Sequence, residues 1–370
     1  MKKILFVSCN DWMPWGGSEE LWSKTALKIS QKGFKVLVSV KDWQPAPAGI
    51  QNLEKEGVEI TRRGNYRYSV PQRITAKLGI TDLKNKYDIL KEKPDIAVIN
   101  QGDIFDGIDW AAQCSLYKVP YVIIAQLVNN LRFLTDKHLN EVSTFFTGAL
   151  KTFFVSGSNH RLFEGMTGIR LSNAAVIQNP HKEVHSLPFY PSYENGYHLA
   201  FVAYFNSFHK GHDILFEVLD QPKWKKTDLH IHLYGKGPNE QYLKRLKDLK
   251  NLERIYFEGH KDIHEICSSN HGLLLCSRME GQSLALIEAM YCNRMAIVTN
   301  VGDADQLIED GVTGYLAQYP IAEFVDSALE KAWQNRELWK EMGCAAGKKI
   351  RQCFSVDPVN SFADTLTELL

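Results

Sequence analysis

Residues 273–290 read LLLCSRMEGQSLALIEAM. The apolar run ending at Cys276 predicts a buried strand, the polar residues 277–283 predict a loop, and the apolar-rich run 283–291 predicts a helix. A strand, a short loop and a helix in this order form one half of a βαβ unit. The fully apolar strand favours a parallel sheet covered on both faces. This stretch therefore predicts an α/β fold.

Two glutamates in this stretch, Glu280 and Glu288, lie eight residues apart. On one continuous helix their side chains would be about 80° apart, so their roles should differ. We expect Glu280 in the loop at the carboxyl end of the strand and Glu288 more than one turn inside the helix. The amides of Gly281, Gln282 and Ser283 would then point out of the helix N-terminus, which predicts a phosphate or diphosphate site. Two carboxylates beside a diphosphate suit sugar or ribose hydroxyls.

The same alternation of apolar strand and amphipathic helix runs through both halves of the chain. In the second half it covers residues 198–298, and in the first half it begins with a strand at Ile4–Val7 and a helix from about Ser18 to Gln31. A turn-rich connector at 181–198 separates the two sets. We expect two Rossmann-like domains facing across a cleft, 1–185 and 196–356, with a C-terminal helix at 357–370 crossing back to the first domain.

Charge and composition exclude two broad classes of protein. The 370 residues include 43 Lys and Arg and 43 Asp and Glu, with 44% hydrophobic residues. A dedicated nucleic-acid binder carries a basic excess, and a long disordered region needs low hydrophobicity and high net charge.

The neutral total charge is the sum of two halves of opposite net charge. The first 195 residues hold 24 bases and 19 acids, and the remaining 175 hold 19 and 24, so the halves carry +5 and −5.

The cysteines and the absence of targeting signals predict a cytoplasmic protein. No run of about 20 apolar residues is present, and the polar residues after Val7 leave no room for a signal peptide. Seven scattered cysteines without a C-x-x-C pair favour reduced thiols. No metal signature is evident, so we expect neither a metal nor a cofactor.

Six motifs occur in the order found in one known family. The stretch 277–290 resembles the E-x7-E signature of retaining GT-B glycosyltransferases of the family 4 type. The other motifs that resemble the family are Gly16-Gly-Ser-Glu19, His209-Lys-Gly211, Tyr234-Gly-Lys-Gly-Pro238, Val301-Gly302 and Asp310-Gly-Val-Thr-Gly314. The resemblance covers nearly the whole chain and is strongest over 200–320.

The resemblance implies a two-domain enzyme that holds a nucleotide-sugar mainly in its C-terminal domain. Glu288 would bind the ribose hydroxyls, Glu280 the hydroxyls of the transferred sugar, and Lys210 the diphosphate together with the 281–283 amides. Gly16 and Gly17 would let the backbone approach the diphosphate or the acceptor. The donor implied is a UDP- or GDP-sugar, transferred with retention and without a metal. The acceptor implied is a glycan or a lipid-linked glycan, in polysaccharide or glycolipid assembly at the inner face of the membrane.

Two departures from the family pattern affect the site. Ala203-Tyr204 stands where the family usually has Gly-Arg, so Lys210 would act on the diphosphate alone or with Asn206. Gln126 stands where a histidine is usual after a strand of the N-terminal domain. A glutamine can hydrogen-bond a sugar hydroxyl but cannot carry a proton.

A basic segment lies at 61–86, with seven Lys and Arg against one acid. Its Arg62, Arg63 and Arg67 are candidates for contact with anionic headgroups or with a phosphorylated acceptor. A solvated helix and loop face explains the same composition, so both interpretations stay open.

Three other functions fit parts of the pattern. A nucleotide-sugar epimerase on the same fold would need acid and base groups at the sugar. A dinucleotide-dependent oxidoreductase would need G-x-G-x-x-G at the first βα turn, which is missing here. A non-catalytic binding homologue is encouraged by Tyr204 and Gln126.

Overall fold

The computed structural model describes residues 1–64, 85–132, 134–182, 184, 186–354 and 357–370. By its internal contacts the chain divides into two units, one of Met1–Pro180 with Val356–Leu370 and one of His181–Ser355. The described residues contain no helix with the length and apolar character needed to span a bilayer.

The first unit is built on a parallel sheet with helices on both faces. In its described residues seven strands are ordered β3-β2-β1-β4-β5-β6-β7. The strands are β1 (Lys3–Ser8), β2 (Lys35–Lys41), β3 (Glu59–Arg63), β4 (Ile96–Gln101), β5 (Tyr121–Ala125), β6 (Lys151–Phe154) and β7 (Ala174–Val176). The helices are α1 (Gly17–Gln31), α2 (Ala48–Lys55), α3 (Ile108–Leu116), α4 (Asp136–Thr147) and α5 (Gly157–Thr167), with a 3-10 turn at Asp88–Glu92.

The central strands of this sheet are buried throughout, because hydrophobic clusters cover both faces. Ile4 of β1 pairs with Val36 of β2 on one side and with Ile96 of β4 on the other. The strand order therefore reverses between β1 and β4. In open parallel sheets such a reversal leaves a crevice at the carboxyl ends of the strands, where ligands bind.

The second unit repeats this plan with a sheet ordered β10-β9-β8-β11-β12-β13. Its strands are β8 (Tyr197–Val202), β9 (Leu229–Tyr234), β10 (Ile255–Gly259), β11 (Gly272–Leu275), β12 (Met295–Thr299) and β13 (Gly314–Ala317). Its helices are α6 (Ser207–Lys210), α7 (His212–Leu219), α8 (Pro222–Lys225), α9 (Glu240–Leu249), α10 (Ile263–Ser269), α11 (Leu284–Tyr291), α12 (Ala304–Leu307), α13 (Ala322–Gln334) and α14 (Trp339–Cys353), with a 3-10 turn at Arg336–Leu338. Here the strand order reverses between β8 and β11.

The C-terminal helix α15 (Pro358–Glu368) returns to the first unit, as expected. Phe362 is fully buried in the cluster beneath α1, and its ring lies 5.0 Å from that of Phe153. Lys32, just after α1, pairs with Asp364 on the exposed side. The predicted α/β class with two Rossmann-like domains is confirmed.

Several local predictions need correction. Helix α1 begins at Gly17 with Gly16 as its N-cap residue, one residue before the predicted start at about Ser18. Helices α13 and α14 were not predicted. The sequence of α13 does carry a helical pattern, because its buried residues have helical spacing: Val325, Ala328, Leu329 and Ala332.

Candidate functional site

The best-defined polar site in the second unit is an ion pair at the reversal of strand order. Lys210 ends the short helix that follows β8, and Glu280 lies in the loop that follows β11. The Lys210 Nζ atom is 2.7 Å from Glu280 Oε1, and the two side chains are 25% and 10% exposed. The hydroxyl of Ser277 donates to the same carboxylate oxygen at 2.7 Å. Sequence reasoning assigned Lys210 and Glu280 to different groups of one donor, and the structure brings them together.

Gly211 allows the helix that carries Lys210 to lie close to the loop that carries Glu280. It has a φ of +67°, and a Cβ atom there would lie 1.9 Å from the carbonyl oxygen of Cys276. Any other residue would push the helix that carries Lys210 away from the loop that carries Glu280. Gly302 has a similar role on the other side of the loop, because a Cβ atom there would lie 3.2 Å from Cβ of Glu280.

Arg278 ties the two segments together, a role that sequence reasoning missed. Its guanidinium donates to both carboxylate oxygens of Asp213, at 2.9 and 2.6 Å, and to the carbonyl oxygen of Ser207 at 2.9 Å. Its backbone amide donates to the carbonyl oxygen of His209 at 2.8 Å. Burial opposes the charge of Asp213, but the hydrogen bonds from Arg278 hold the pKa of that carboxyl below its ordinary value. The planar guanidinium thus fixes the geometry around Lys210.

Helix α11 begins at Leu284 with Ser283 as its N-cap residue, within one residue of the predicted start, and no side chain caps it. The amides without an intrahelical partner are therefore those of residues 283–286, whereas Gly281 and Gln282 lie in the preceding loop. The expected phosphate site remains at this helix end, and a contact of Gly281 and Gln282 with the phosphate stays a prediction.

Glu288 lies in the second turn of α11, as predicted. Its side chain is half-buried, and its Oε1 atom accepts a hydrogen bond from the backbone amide of Lys182 at 3.2 Å. A carboxylate held this way keeps further acceptor capacity for ligand hydroxyls.

Asn206, expected to assist Lys210, is the N-cap residue of α6. Its side-chain oxygen accepts from the amide of His209 at 3.3 Å. Asn206 therefore fixes the turn that leads to Lys210, and its expected contact with the diphosphate stays a prediction.

The glycines of the Tyr234–Pro238 turn pack against the neighbouring backbone. A Cβ atom at Gly235 would lie 2.0 Å from the Ala203 carbonyl oxygen.

In the first unit, Gln126 lies just after β5 in a buried network of amides. Its Nε2 atom is 3.0 Å from Asn100 Oδ1, 3.3 Å from Asn179 Oδ1 and 3.1 Å from the Ser18 carbonyl oxygen. Its Oε1 atom accepts from Asn179 at 2.8 Å, and the residue is 5% exposed. This setting corrects the expectation that Gln126 contacts a sugar, because its amide is already engaged within the fold.

Gly16 and Gly17 lie beside this network at the start of α1. Gly16 has an extended backbone, with φ −159°, which any residue can adopt. A Cβ atom at Gly16 would lie 3.2 Å from the sulfur of Met13, so the loop there is tightly packed. The structure places both glycines at a helix N-terminus near the carboxyl ends of the strands, where a role in binding an anion stays a prediction.

The three arginines of the basic segment have different settings. Arg63, 7% exposed, donates to the carbonyl oxygens of Ser39 and Ser8 and pairs with Asp11 at 3.0 Å. Its guanidinium is bound within the sheet, which corrects the prediction that it contacts anionic headgroups. Arg63 also lines the cavity of the first unit, so its contact with an acceptor stays a prediction. Arg62 is partly exposed and pairs with Glu54 at 2.6 Å. Arg67 lies outside the described residues.

A cavity of about 380 Å³ lies in the first unit, near the carboxyl ends of β1, β3 and β4. Aromatic and charged side chains line its wall: Asp11, Trp12, Arg63, Lys86, Phe105, Asp106, Asp109 and Trp110. Burial raises the pKa of Asp106 to about 6, against hydrogen bonds from backbone amides that lower it. Sequence reasoning missed this cavity, although Asp106 does follow a predicted strand.

Metal ligation finds no support in the part of the chain that the structure describes. In these residues no group of three or more His, Cys, Asp or Glu side chains has an arrangement that could hold a metal ion.

Residues 196–333 match the family model of the group 1 glycosyl transferases. One relative is the poly(ribitol-phosphate) alpha-N-acetylglucosaminyltransferase of Staphylococcus aureus, 30% identical over 40% of this chain and 30% of its own length. Another is the N-acetyl-alpha-D-glucosaminyl L-malate synthase of Bacillus anthracis, 30% identical over 38% of each chain. The alignments thus span well under half of these curated relatives.

Solved structures match over the full chain. The crystal structure of Anabaena HepE with UDP and glucose has a TM-score of 0.75 at 18% identity and covers 100% of both chains. A variant of S. aureus TarM, crystallised with UDP and alpha-GlcNAc-glycerol, has a TM-score of 0.72 at 13% identity over 98% of each. At these identities the likeness shows the fold. The chain therefore has the GT-B fold, and residues 196–333 of its second unit are similar to the group 1 glycosyl transferases.

Proposed function

We propose that this protein transfers a sugar from a nucleotide-sugar to a glycan or lipid-linked acceptor, with retention of configuration and without a metal ion. The observation that carries the proposal is the Lys210–Glu280 pair beside the uncapped N-terminus of α11. A cation, a helix N-terminus and two carboxylates in one place match the parts of a nucleoside diphosphate-sugar.

The ion pair accounts for how the site would receive its donor. A diphosphate brings more negative charge to Lys210 than the single carboxylate of Glu280 does, so the ammonium would exchange one partner for the other. Glu280 would then accept hydrogen bonds from hydroxyls of the sugar. Glu288, deeper in α11, would accept those of the ribose.

The chemistry needs charge stabilisation on the leaving diphosphate. As the bond to the sugar breaks, negative charge grows on the diphosphate, and Lys210 and the amides of residues 283–286 are oriented to stabilise it. Arg278 keeps Lys210 in place during this step. The same-face substitution would pass through an oxocarbenium-like state, with the leaving diphosphate accepting the proton of the incoming hydroxyl.

The cavity of the first unit is the candidate acceptor site. Aromatic rings such as Trp12 and Trp110 can lie against sugar faces, and carboxylates such as Asp106 accept hydrogen bonds from hydroxyls. The names of the two relatives give different acceptors, poly(ribitol-phosphate) and L-malate, so the carbohydrate acceptor is proposed from the side chains of the cavity. The crystals of the two structural neighbours, HepE and TarM, contain UDP, so a UDP-sugar is the first donor to test.

The test compares Lys210→Ala with the native protein. Calorimetric titration with UDP should show at least tenfold weaker binding, and transfer from the matching UDP-sugar should fall by about 100-fold, since an ionic contact to the leaving group is lost. Lys244→Ala is the matched control, because Lys244 pairs with Glu240 at 2.8 Å on the surface of the same unit. Unchanged UDP affinity in Lys210→Ala would remove Lys210 from the site.

A panel of UDP-, GDP- and ADP-sugars tested by thermal shift would identify the donor, because a ligand that binds the folded state raises Tm. The alternative of a non-catalytic homologue predicts that one nucleotide-sugar stabilises the protein while neither transfer nor hydrolysis occurs.

A further inference from the structure

A second cavity, of about 590 Å³, lies in the first unit on residues of α1, α2 and the segment between β2 and α2. Hereafter this is the apolar cavity, and the cavity around Asp106 is the polar cavity. Proline, alanine, leucine and tryptophan side chains make up most of its wall, among them Pro14, Trp15, Leu27, Pro45, Ala46 and Leu53. Sites for small ligands typically have volumes of roughly 300–1,000 Å³ and mostly apolar walls. The apolar cavity therefore has the size and the wall of a ligand site.

The wall of the apolar cavity is held in place by contacts within the fold. The indole Nε1 atom of Trp15 donates to Glu20 Oε1 at 2.7 Å. The same ring lies directly against the start of α2, because a Cβ atom at Gly49 would lie 2.2 Å from it. Pro45 and Pro47 have φ angles that their rings fix. A wall that is already ordered adds little entropic cost to the binding of a ligand.

The charges on this wall cancel. The charged side chains that the described residues contribute are Glu20 and Lys24, and Lys24 Nζ lies 3.1 Å from Glu20 Oε2. Gln44 and Asn52 also line the cavity, but both residues are exposed to solvent. A sugar ring on the apolar part of the wall would leave hydroxyls without partners, whereas a hydrocarbon chain needs none. The wall therefore favours an uncharged, apolar ligand.

One loop separates the apolar cavity from the polar cavity. Cys9, Asp11 and Trp12 line the polar cavity, and Pro14 and Trp15 line the apolar cavity. Trp12 and Pro14 are two residues apart in the chain, so their Cα atoms are at most about 7 Å apart. Trp12 itself is 83% exposed. A single molecule with a polar and an apolar part can therefore reach both cavities by crossing this loop.

We propose that the acceptor is an amphiphile, a sugar linked to an alkyl chain, and that its chain binds in the apolar cavity while its sugar lies in the polar cavity. The role of the sugar as acceptor rests on the proposed function, whereas binding of the chain does not require transfer. The carboxylates and rings of the polar cavity offer partners to sugar hydroxyls and sugar faces. The apolar cavity removes methylene groups from water, which raises affinity up to about fourfold for each one buried.

A series of alkyl glucosides tests the chain site. Calorimetric titration of the native protein with butyl, hexyl and octyl glucoside, below their micellar concentrations, should show affinity that rises about two- to fourfold per added methylene. In Ala46→Phe the added ring occupies the apolar cavity, so this gain should disappear. Ala112→Phe is the matched control, because Ala112 is exposed on α3 of the same unit, and it should keep the gain. An equal gain in both variants, or no gain in the native protein, would overturn the proposal.

A photoreactive probe locates the chain in the native protein, so this measurement does not depend on how the variants fold. Octyl glucoside with a diazirine at the end of its chain is irradiated with the protein, and the labelled peptides are identified by mass spectrometry. The label should lie within residues 14–27 and 44–53, and an excess of octyl glucoside, but not of glucose, should reduce it. Labelling spread over other segments would mean non-specific association and would refute the chain site.

The two proposals fail separately. No nucleotide is present during labelling, so failure of UDP binding counts against the proposed function and leaves the chain site standing. UDP binding and sugar transfer without a label in these segments would count against the chain site alone.

Discussion

Both sheets reverse their strand order, but the polar groups at the two reversals differ in kind. In the first unit, besides the charged side chains of the polar cavity, they include a buried network in which Gln126 is bonded to both Asn100 and Asn179. In the second unit they are the charged Lys210 and Glu280, which are partly exposed. Neutral amides satisfied within the fold specify its local structure, whereas a partly exposed ion pair can exchange partners with a charged ligand.

The largest effect should come from Gly211→Ala, which disturbs the backbone beside the reversal of strand order in the second unit. The positive φ and the clash with the Cys276 carbonyl oxygen should lower the free energy of unfolding by about 2–4 kcal/mol and abolish transfer. Gly259→Ala is the control, because Gly259 has a φ of +71° but nothing within 4 Å of an added Cβ atom. Equal losses in urea unfolding would mean that the close approach at Gly211 contributes nothing.

Next in size is the loss of the Arg278 guanidinium. Arg278→Ala should reduce kcat by about 30-fold with a smaller change in KM, since Lys210 loses its support without losing its charge. Arg278→Lys should recover only part of the rate, because an ammonium cannot bond both oxygens of Asp213 in one plane. Full recovery by lysine would show that the charge alone matters.

Glu288→Ala should weaken nucleotide binding by at least tenfold, measured by calorimetry with UDP, because hydrogen bonds from the ribose to a charged acceptor are lost. Glu288→Gln should fall between this variant and the native protein. Unchanged affinity in Glu288→Ala would refute the ribose assignment. It would leave the Lys210–Glu280 pair as the entire donor site.

Gln126→Ala tests the buried amide network of the first unit. It removes the buried hydrogen bonds that Gln126 makes with Asn100 and Asn179, so unfolding in urea should show a loss of about 1–3 kcal/mol, while UDP affinity stays within twofold. Gln51→Ala removes an exposed hydrogen bond to the Ala46 carbonyl oxygen and should cost much less. A large loss of transfer without a loss of stability would make Gln126 a catalytic residue after all.

The smallest effect should be the pH dependence at Asp106. Its pKa is raised to about 6 from an ordinary value of 3.8, so between these values the folded state binds the proton more tightly than the unfolded state. The stabilisation from protonated Asp106 is complete below pH 3.8 and is lost as the pH rises through 6. Asp106→Asn should therefore raise Tm at pH 8 and change it little at pH 4.

Asp109 in the same cavity provides the opposite case. Burial opposes the charge of its carboxyl, but hydrogen bonds from Lys86 and Tyr87 and the charge of Lys86 hold the pKa of that carboxyl below its ordinary value. Asp109→Asn should lower Tm at pH 8. If the two variants shift Tm in the same direction at pH 8, burial and pairing do not distinguish these carboxyls.

The sequence predicted the strands and helices better than it predicted the contacts of individual side chains. The strands around Ile4, Val36 and Leu273 were predictable because runs of apolar residues of this length fit a parallel sheet covered on both faces. Arg63 was predicted wrongly because its neighbours are basic and polar, and nothing local indicates that its guanidinium turns inward to the carbonyl oxygens of Ser8 and Ser39. Gln126 shows the same limit, since an amide can serve a ligand or the fold equally well.

By itself the sequence determined the α/β class, the two-domain organisation and the positions of Glu280 and Glu288 on a loop and a helix. These follow from the order and spacing of residues near one another in the chain. Only the tertiary structure decided that Lys210 faces Glu280, 70 residues away. The reason is that β8 and β11 become neighbours through sheet pairing, and Gly211 then allows a contact that no local spacing encodes.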